Sequence, residues 1–383
     1  MKKKYTIITA MSGGVDSSVA ALLLKQAGHN VIGLFMRNWH DESLTTNNEC
    51  PWIEDSNDAL QICEQLNIPF QIIDLSKEYK ERIVDYMIKE YSIGNTPNPD
   101  ILCNREIKFD VFLQYAMKLK ADFIATGHYC VKSKYKNIYQ LKRGRDRIKD
   151  QSYFLCQINQ EQLKKTMFPI GNYTKKEVRE IAEENNLITA TKKDSQGLCF
   201  VGKIKLPEFL QNQLKKKKGD IIEISNKANL YKLNIETGEE RKYSISDGKK
   251  IGEHIGAHYF TIGQRKGLNI GGKKYPMFVI GTDVKTNTIF VGMGKNHPGL
   301  FRTHLKIYHH NINWLRKDKK LNIGDEKDYF VRIRHRQNLQ KATLKMTKDY
   351  LFIIFMHCQR GIAKGQFAAW YENDELIGSG PIN

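Results

Sequence analysis

Strand-length apolar runs at Tyr5 to Ala10, Val31 to Met36, Phe70 to Asp74 and Phe123 to Thr126 alternate with segments whose apolar positions recur at helical spacing: Val19 to Gln26, Asp58 to Leu66, Glu78 to Tyr91 and Phe109 to Leu119. Runs that are apolar throughout and separated by helices predict strands buried on both faces, hence an α/β fold with a doubly wound parallel sheet. A further helical stretch, opened by Thr174 and Glu177 at capping-box spacing, carries this domain to about Lys205. Lys215 to Lys218 followed by Gly219 mark a polar break. Beyond it a β-rich segment runs from Asp220 to about His297 and contains a lysine- and asparagine-rich stretch, Ser225 to Lys250. After Pro298 the alternating stretches Tyr329 to Arg334, Ala342 to Met346 and Leu351 to Phe355 predict a small β-barrel. The expected domains are therefore 1–205, 206–297 and 298–383.

Charge narrows the class of partner. The 383 residues carry a formal charge of +19, and a pI near 9.4 points to an anionic partner, for which a nucleic acid is the natural candidate. Lysine outnumbers arginine about three to one, and Asn and Ile are plentiful, so a base-composition bias supplies part of the excess. No apolar run reaches membrane-spanning length, and MKKK leads into a strand rather than a signal-peptide core. A cytoplasmic protein that engages no membrane is expected.

The chemistry concentrates in Tyr5 to Ser18, YTIITAMSGGVDSS, where a strand ends in a serine and two glycines and a helix opens. Gly13 and Gly14 let backbone N–H groups approach an anion. The helix beginning near Ser17 points its positive end at the same place, and Ser12, Ser17 and Ser18 offer hydroxyls. No GK[ST] follows, so the Walker lysine is absent and an α–β cleavage of a nucleoside triphosphate is expected. The seven cysteines include no CxxC pair, which excludes a secreted disulfide framework and a zinc ribbon. Cys63, Cys156 and Cys358 read as buried small hydrophobes. Cys103, in the proline-bounded TPNPDILCNREIKF, and Cys199, in KKDSQGLCFVG, read as loop cysteines near basic residues; on local sequence each is either a reactive thiol or an inert one.

SGGVDSS resembles the PP-loop of the N-type ATP pyrophosphatases, and TPNPDILCN with DSQGLCF resembles motifs of the tRNA-specific 2-thiouridylases. The likeness extends through GLFMRNW from Gly33, ATGHY from Ala125, KDQSYFL from Lys149, FPIG from Phe168, TIGQRKGL from Thr261 and KGQFAAWY from Lys364. It implies ATP with Mg²⁺ as cofactors and tRNA as substrate, the wobble uridine C2 oxygen being adenylated and then replaced by sulfur. It further implies a persulfide on Cys199 and a second catalytic cysteine at Cys103, with a transient disulfide between them, and Asp100 beside the target base.

The same resemblance implies ATP contacts at Ala10, Met11, Ser12, Gly13, Gly14, Val15, Asp16, Ser17, Met36 and Gly127. Base and tRNA contacts fall on Asn98, Pro99, Asp100, His128, Lys149, Asp150, Gln151, Arg334, His335 and Gln366, with Gln264, Arg265 and Lys266 as a basic loop nearby. Ala10 stands where the family often has glycine, and His335 where it commonly has tyrosine. Asp16 fits two roles, orienting the loop or holding Mg²⁺. Asp100 fits proton transfer or a loop cap, and His128 fits the nucleotide, the RNA or a structural place. A sulfur-relay protein or cysteine desulfurase is implied as sulfur donor, the tRNAs as those for Lys, Glu and Gln, and the state as monomeric. Two other classes fit the residues alone: another PP-loop adenylating ligase or amidotransferase, and a non-catalytic RNA-binding protein.

Overall fold

The structure, a computed structural model, describes residues 3–38, 51–194, 206–231 and 241–383. The first domain comprises β1 (Thr6–Met11), α1 (Val15–Gln26), β2 (Asn30–Arg37), α2 (Pro51–Gln65), β3 (Phe70–Asp74), α3 (Ser76–Tyr79), α4 (Asp85–Ser92), α5 (Pro99–Leu102), α6 (Phe112–Lys118), β4 (Phe123–Ala125), β5 (Cys130–Tyr135), β6 (Ile138–Arg143), α7 (Gln160–Lys164), β7 (Thr166–Met167), α8 (Lys175–Glu184) and α9 (Leu206–Gln213). Wider π-type turns at Lys80–Val84 and Cys103–Val111 join α3 to α4 and α5 to α6, so each pair forms one helical rod.

Strands β3, β2, β1, β4 and β7 pair in that order, all parallel. Alternate side chains face opposite layers. Ile8, Ala10, Leu34, Met36 and Ile124 pack toward α3 to α6, whereas Ile7, Met11, Val31, Phe35 and Ala125 pack toward α1, α2 and α8. Each such Ile, Leu, Val or Phe contributes about 1.5–3 kcal/mol by leaving water, and this two-sided burial is why the strands are uniformly apolar. The strand order reverses at β1, which lies between β2 and β4. The crevice at the carboxyl ends of β1 and β4 is thus the place where doubly wound sheets take ligands.

The central domain is a sheet of β8 (Gly219–Ile224), β9 (Gly248–His254), β10 (Met277–Asp283) and β11 (Thr288–Met293), ordered β10-β11-β8-β9. Part of the lysine- and asparagine-rich stretch leads into β9, and its residues 232–240 lie outside the described ones. The barrel follows as β12 (Phe301–Tyr308), β13 (Asn313–Trp314), β14 (Glu326–Arg332), β15 (Gln340–Met346), β16 (Tyr350–Arg360), β17 (Phe367–Glu372) and β18 (Glu375–Pro381). Its sheet does not end at its own strands. The β5–β6 hairpin leaves the first domain and joins β18, with Lys142 opposite Glu375, so the expected division at 205 is crossed by a pair of strands. Cys358, expected to be buried, is exposed: pairing between β12 and β16 is irregular between Arg302 and His304, and residues 356–358 turn outward there.

A polar joint fastens the first domain to the barrel. The Asp150 carboxylate is fully enclosed; one oxygen accepts from Arg332 on β14 at 2.7 Å and Arg143 at 3.3 Å, the other from the Gly144 and Ser152 amides, each at 3.1 Å. Arg332 also donates to Tyr371 at 2.9 Å, and the Tyr153 hydroxyl donates to the carbonyls of Ile333 and Phe367. Burial acts to raise the Asp150 pKa, but the Arg332 charge and these hydrogen bonds outweigh it and hold the group below the usual carboxylate range.

Removing one partner of a buried pair leaves an uncompensated charge. Arg332→Met is expected to lower urea-unfolding stability by about 3–5 kcal/mol, and a control that breaks the exposed Arg147–Asp374 pair by less than about 1 kcal/mol. In the parent chain the Asp150 contribution is present above the unfolded carboxylate pKa of about 4, so it stays constant from pH 8 to 5. In Arg332→Met the folded pKa of Asp150 rises above that value, so the deficit is expected to be larger at pH 8 than at pH 5.

Candidate active site

At the end of β1 the chain turns through Ser12, Gly13 and Gly14 into α1. Gly13 adopts φ +69°, and a Cβ there would run into the Asp55 carbonyl of α2. Helix α1 starts at Val15, earlier than the sequence suggested, and Gly14 caps it without a side-chain hydrogen bond. The serine hydroxyls are used inside the turn. Ser17 and Ser18 both donate to the Gly14 carbonyl, at 3.0 and 2.9 Å, and Ser17 also meets the Ser12 amide and hydroxyl. Anion recognition therefore rests on backbone N–H groups and the helix end rather than on hydroxyl donors. Gly127, following β4, lies against this turn so closely that a Cβ would come within 2.8 Å of Asp16 C and Ser17 N. Ala10 and Met36 are buried beside the turn in one layer, with Met11 and Val15 in the opposite one.

Asp16 is held from two sides, by the Tyr129 hydroxyl at 2.7 Å and the Lys175 ammonium at 2.8 Å, the arrangement of an orienting residue. Tyr129 has its pKa raised by burial and by the Asp16 charge, so it serves as a donor. Lys175 also reaches Asp194 at 2.7 Å, which Lys149 meets at 2.8 Å and Arg179 at 3.2 Å. Burial works to raise the Asp194 pKa, and the hydrogen bonds from Lys149 and Lys175 overcome it, holding the group at about 2. Lys192 binds Asp55 and Asp58 of α2, and Thr189 contacts Ser18 at 3.1 Å. None of Tyr129, Lys175, Lys192 or Asp194 stood among the candidates, although Tyr129 lies within ATGHY, Asp194 opens DSQGLCF and Lys175 follows the Thr174 cap. No group of three or more His, Cys, Asp or Glu side chains among the described residues is placed to hold a metal ion.

The proline-bounded segment differs from the loop that its composition suggested. Pro99 is the first residue of α5, where its missing N–H is no loss, and the Asn98 side chain caps the helix by accepting from the Ile101 amide at 3.2 Å. Cys103 consequently lies on the helical rod, fully buried in the layer that also contains Ala10 and Met36. The segment before it is clamped to the other domains. Asn98 donates to Gln366 at 3.2 Å, Gln366 donates to the Thr96 carbonyl at 3.0 Å, and Thr96 meets Thr261 at 3.0 Å. Asn98, Pro99 and Asp100, expected to line the base, and Gln366, expected to contact the tRNA from the barrel, are thereby neighbours. Cys199 lies outside the described residues.

The other expected RNA contacts separate. Asp150, expected to touch tRNA, is enclosed in the joint with its carboxylate oxygens engaged, so it positions rather than contacts. Gln151 accepts from the Tyr129 amide at 3.0 Å, and Lys149 is paired with Asp194. His128 is buried between Phe109 and Phe168 with Thr126 at 2.8 Å from Nδ1, and burial followed by the Lys108 charge keeps it neutral: the structural place. His335 packs against Phe154 with the rings tilted and their centroids 4.3 Å apart, and donates from Nε2 to the Asp150 carbonyl at 2.9 Å. Arg334 donates to the carbonyls of Arg360 and Gly361. Arg265 lines an open groove of about 640 Å³ on the central domain with Lys273, Lys274 and Tyr275.

Comparison with known proteins matches residues 5–203 to a tRNA methyl transferase HUP domain, 233–293 to a tRNA methyl transferase PRC-barrel domain and 304–382 to an aminomethyltransferase beta-barrel domain. The chain is 56% identical to the tRNA-specific 2-thiouridylase MnmA of Flavobacterium johnsoniae, across 98% of this chain and 99% of that one. It is 54% identical to the MnmA of Christiangramia forsetii, across 100% of both, and 42% identical to that of Bacillus velezensis, across 98% of this chain and 94% of that one.

Because the turn leaves no space for a side chain at Gly13 and Gly127, Gly13→Ala and Gly127→Ala are each expected to weaken ATP binding by about tenfold or more, about 1.4 kcal/mol, read by titration with a fluorescent ATP analogue. Unchanged affinity in both would separate the turn from nucleotide binding.

Proposed function

The chain belongs to the family of tRNA-specific 2-thiouridylases and is a tRNA sulfurtransferase, and on that premise we propose how its residues carry out the reaction. The matched domain descriptions speak of methyl transfer, whereas the curated relatives are thiouridylases along nearly their whole length. A turn built for phosphates favours the second description. The observation that carries the reading is the seating of Gly127 on the backbone of Asp16 and Ser17, the first turn of α1 directly after Gly13–Gly14, at the switch point of the sheet where a triphosphate would meet backbone N–H groups.

In this reading ATP lies over residues 10–17 with Met36 and Gly127 at its borders. Asp16 is the turn's own carboxylate and is already shared with Lys175; Mg²⁺ arriving with the nucleotide would supply neutralisation of charge on the departing pyrophosphate. The target is the wobble uridine of tRNAs for Lys, Glu and Gln, turned out of its stack and received by Asn98, Pro99 and Asp100, with Gln366 holding Asn98 in place. Asp100 takes the proton from N3 as the uridine C2 oxygen attacks the α-phosphorus. That forms the O–P bond, releases pyrophosphate and converts the oxygen into a good leaving group. The Cys103 thiolate attacks Cys199 Sγ of a Cys199 persulfide, expelling the terminal sulfur as HS⁻ and forming a Cys103–Cys199 disulfide. Sulfide adds to C2 and AMP departs. Two electrons from the cellular thiol pool reset the cysteines. The enclosed position of Cys103 means that the first turns of its helical rod must open before this exchange. A relay protein or cysteine desulfurase reloads Cys199, and the enzyme works as a cytoplasmic monomer.

Cys103→Ser and Cys199→Ser are expected to retain tRNA-stimulated pyrophosphate release while 2-thiouridine, read by mass spectrometry of digested anticodon nucleosides, falls below detection. Full thiolation by either variant would remove the two-thiol mechanism.

A further inference from the structure

Two arginines at the junction of the central domain and the barrel lack the acid that a covered guanidinium usually finds. Arg360, the last residue of β16, is half-buried, with its Cζ 4.8 Å from the ring centroid of Phe278 on β10. Its Nε–H is enclosed and has no acceptor. Arg334, two residues beyond β14, donates from Nη2 to the Arg360 carbonyl at 2.9 Å and to the Gly361 carbonyl, an approach that a Cβ on Gly361 would block. Neither guanidinium meets a carboxylate among the described residues, whereas the enclosed Arg332 has Asp150, and Arg316 has Asp318 and Glu375. Desolvation of its covered part, and then the Arg360 charge, lower the Arg334 pKa, which marks the two cations as neighbours.

Such a pair is a poor way to build a domain junction. A leucine or methionine at position 360 would cover Phe278 without taking an unpaired N–H out of water, and two like charges side by side repel each other. What the pair supplies is two planar donor groups, one steadied by an aromatic ring and the other by two carbonyls, in the geometry that suits phosphate oxygens. The same stretch of chain leads to the loop that receives the base. The Thr96 amide donates to the Lys364 carbonyl at 2.8 Å, Gln366 meets Asn98 at 3.2 Å, and Thr261 meets Thr96 at 3.0 Å. Arg360 stands six positions before Gln366, no more than about 22 Å of extended chain. Arg334 is one of the expected tRNA contacts; Arg360 is not.

We infer that Arg360, paired with Arg334, binds a backbone phosphate of the tRNA near the nucleotide turned out for modification, an inference that rests on the tRNA thiolation described above. Base contacts identify a nucleotide, whereas phosphate contacts set the register of the strand that presents it. A phosphate fixed at this junction while Asn98, Pro99 and Asp100 receive the base holds the backbone on the barrel side of the extruded nucleotide. The anion is a phosphodiester of RNA, because the phosphates of ATP have their own donors on the turn after β1, in the sheet domain.

The test uses the full chain and a tRNA joined from synthetic pieces, so that one linkage at a time around the wobble nucleotide carries an uncharged methylphosphonate. In the parent chain, neutralising one linkage or two adjacent ones is expected to weaken binding by about tenfold. Arg360→Met is expected to bind unmodified tRNA about tenfold more weakly, to lower the slope of log affinity against log salt by about 1, and to become indifferent to those same linkages. Phe278→Leu removes the ring and keeps the charge, so its salt slope is expected to match the parent's. ATP affinity is expected to be unchanged throughout, which separates an RNA phosphate from a nucleotide or free phosphate. Should Arg360→Met lose its cooperative unfolding transition, Arg360→Lys carries the comparison: it is expected to keep the slope, bind about threefold more weakly and feel the same linkages less. Linkage effects that are the same with and without the Arg360 fork, an unchanged salt slope in a folded Arg360→Met chain, or ATP affinity lost in parallel with tRNA affinity would each overturn the inference. A parent chain that binds this tRNA no better than unrelated RNA of equal length and forms no 2-thiouridine would overturn the reading of the function instead.

Discussion

The enclosed pair between Asp150 and Arg332 is the constraint on which the arrangement of the molecule depends. Bringing two charges out of water is unfavourable unless every lone pair finds a donor, and here the carboxylate has four donors around it: two guanidinium groups and two amides. Such a pair specifies a geometry more than it adds stability. It sets β14 against residues 149–155, which brings His335 onto Phe154 and places the Gln366 side of the barrel opposite Asn98. The contact between Asn98 and Gln366 thus joins the sheet domain to the barrel, and its register follows from a pair of charges that stands apart from it.

Strands β1 to β4 were legible in the sequence to within a residue or two: β1, β2 and β4 because burial on both faces leaves only one kind of side chain suitable for them, and the more exposed edge strand β3 because Phe70, Ile72 and Ile73 stand between polar neighbours. The Thr174–Glu177 cap was legible for a similar reason: both halves of its hydrogen bonding are local. Other features depended on contacts distant in sequence. Two prolines near Cys103 suggest an extended path, yet Pro99 is at the one helical position that tolerates proline, and Asn98 supplies the cap. A charged residue such as Asp150 reads as a surface contact until Arg332, far along the chain, is placed beside it. Lys175 reads as an ordinary helix-surface lysine until α1 and α8 are packed together. Cys358 read as buried because a cysteine outside any disulfide framework usually behaves as a small hydrophobe, and only the irregular pairing with β12 reveals the outward turn.

Thiol chemistry in this fold is partitioned by burial. Cys63 and Cys156 have their pKa values pushed up to about 12 by desolvation, and Cys130 is also raised. Since the thiolate is the reactive form, these side chains are silent toward persulfides and oxidants at neutral pH. Cys103 shares the apolar layer of Cys130 and Cys156, with Cys63 in the opposite one, but stands one helical turn from Pro99, where the rod begins. The difference among these thiols lies in what must move to uncover them, which for Cys103 is the short first stretch of a helix and for Cys63 and Cys156 is the core itself.

The loan of the β5–β6 hairpin to the barrel has a bearing on how this protein could have been assembled. A ribbon that completes another domain's sheet cannot be severed without leaving two unsatisfied borders, one on the donor and one on β18. Recombination that exchanged the barrel for another module would strand the hairpin in water with its hydrogen-bonding rim bare. A module put in place of the barrel would therefore have to present the same edge to the hairpin, a demand that the backbone of the first domain itself imposes.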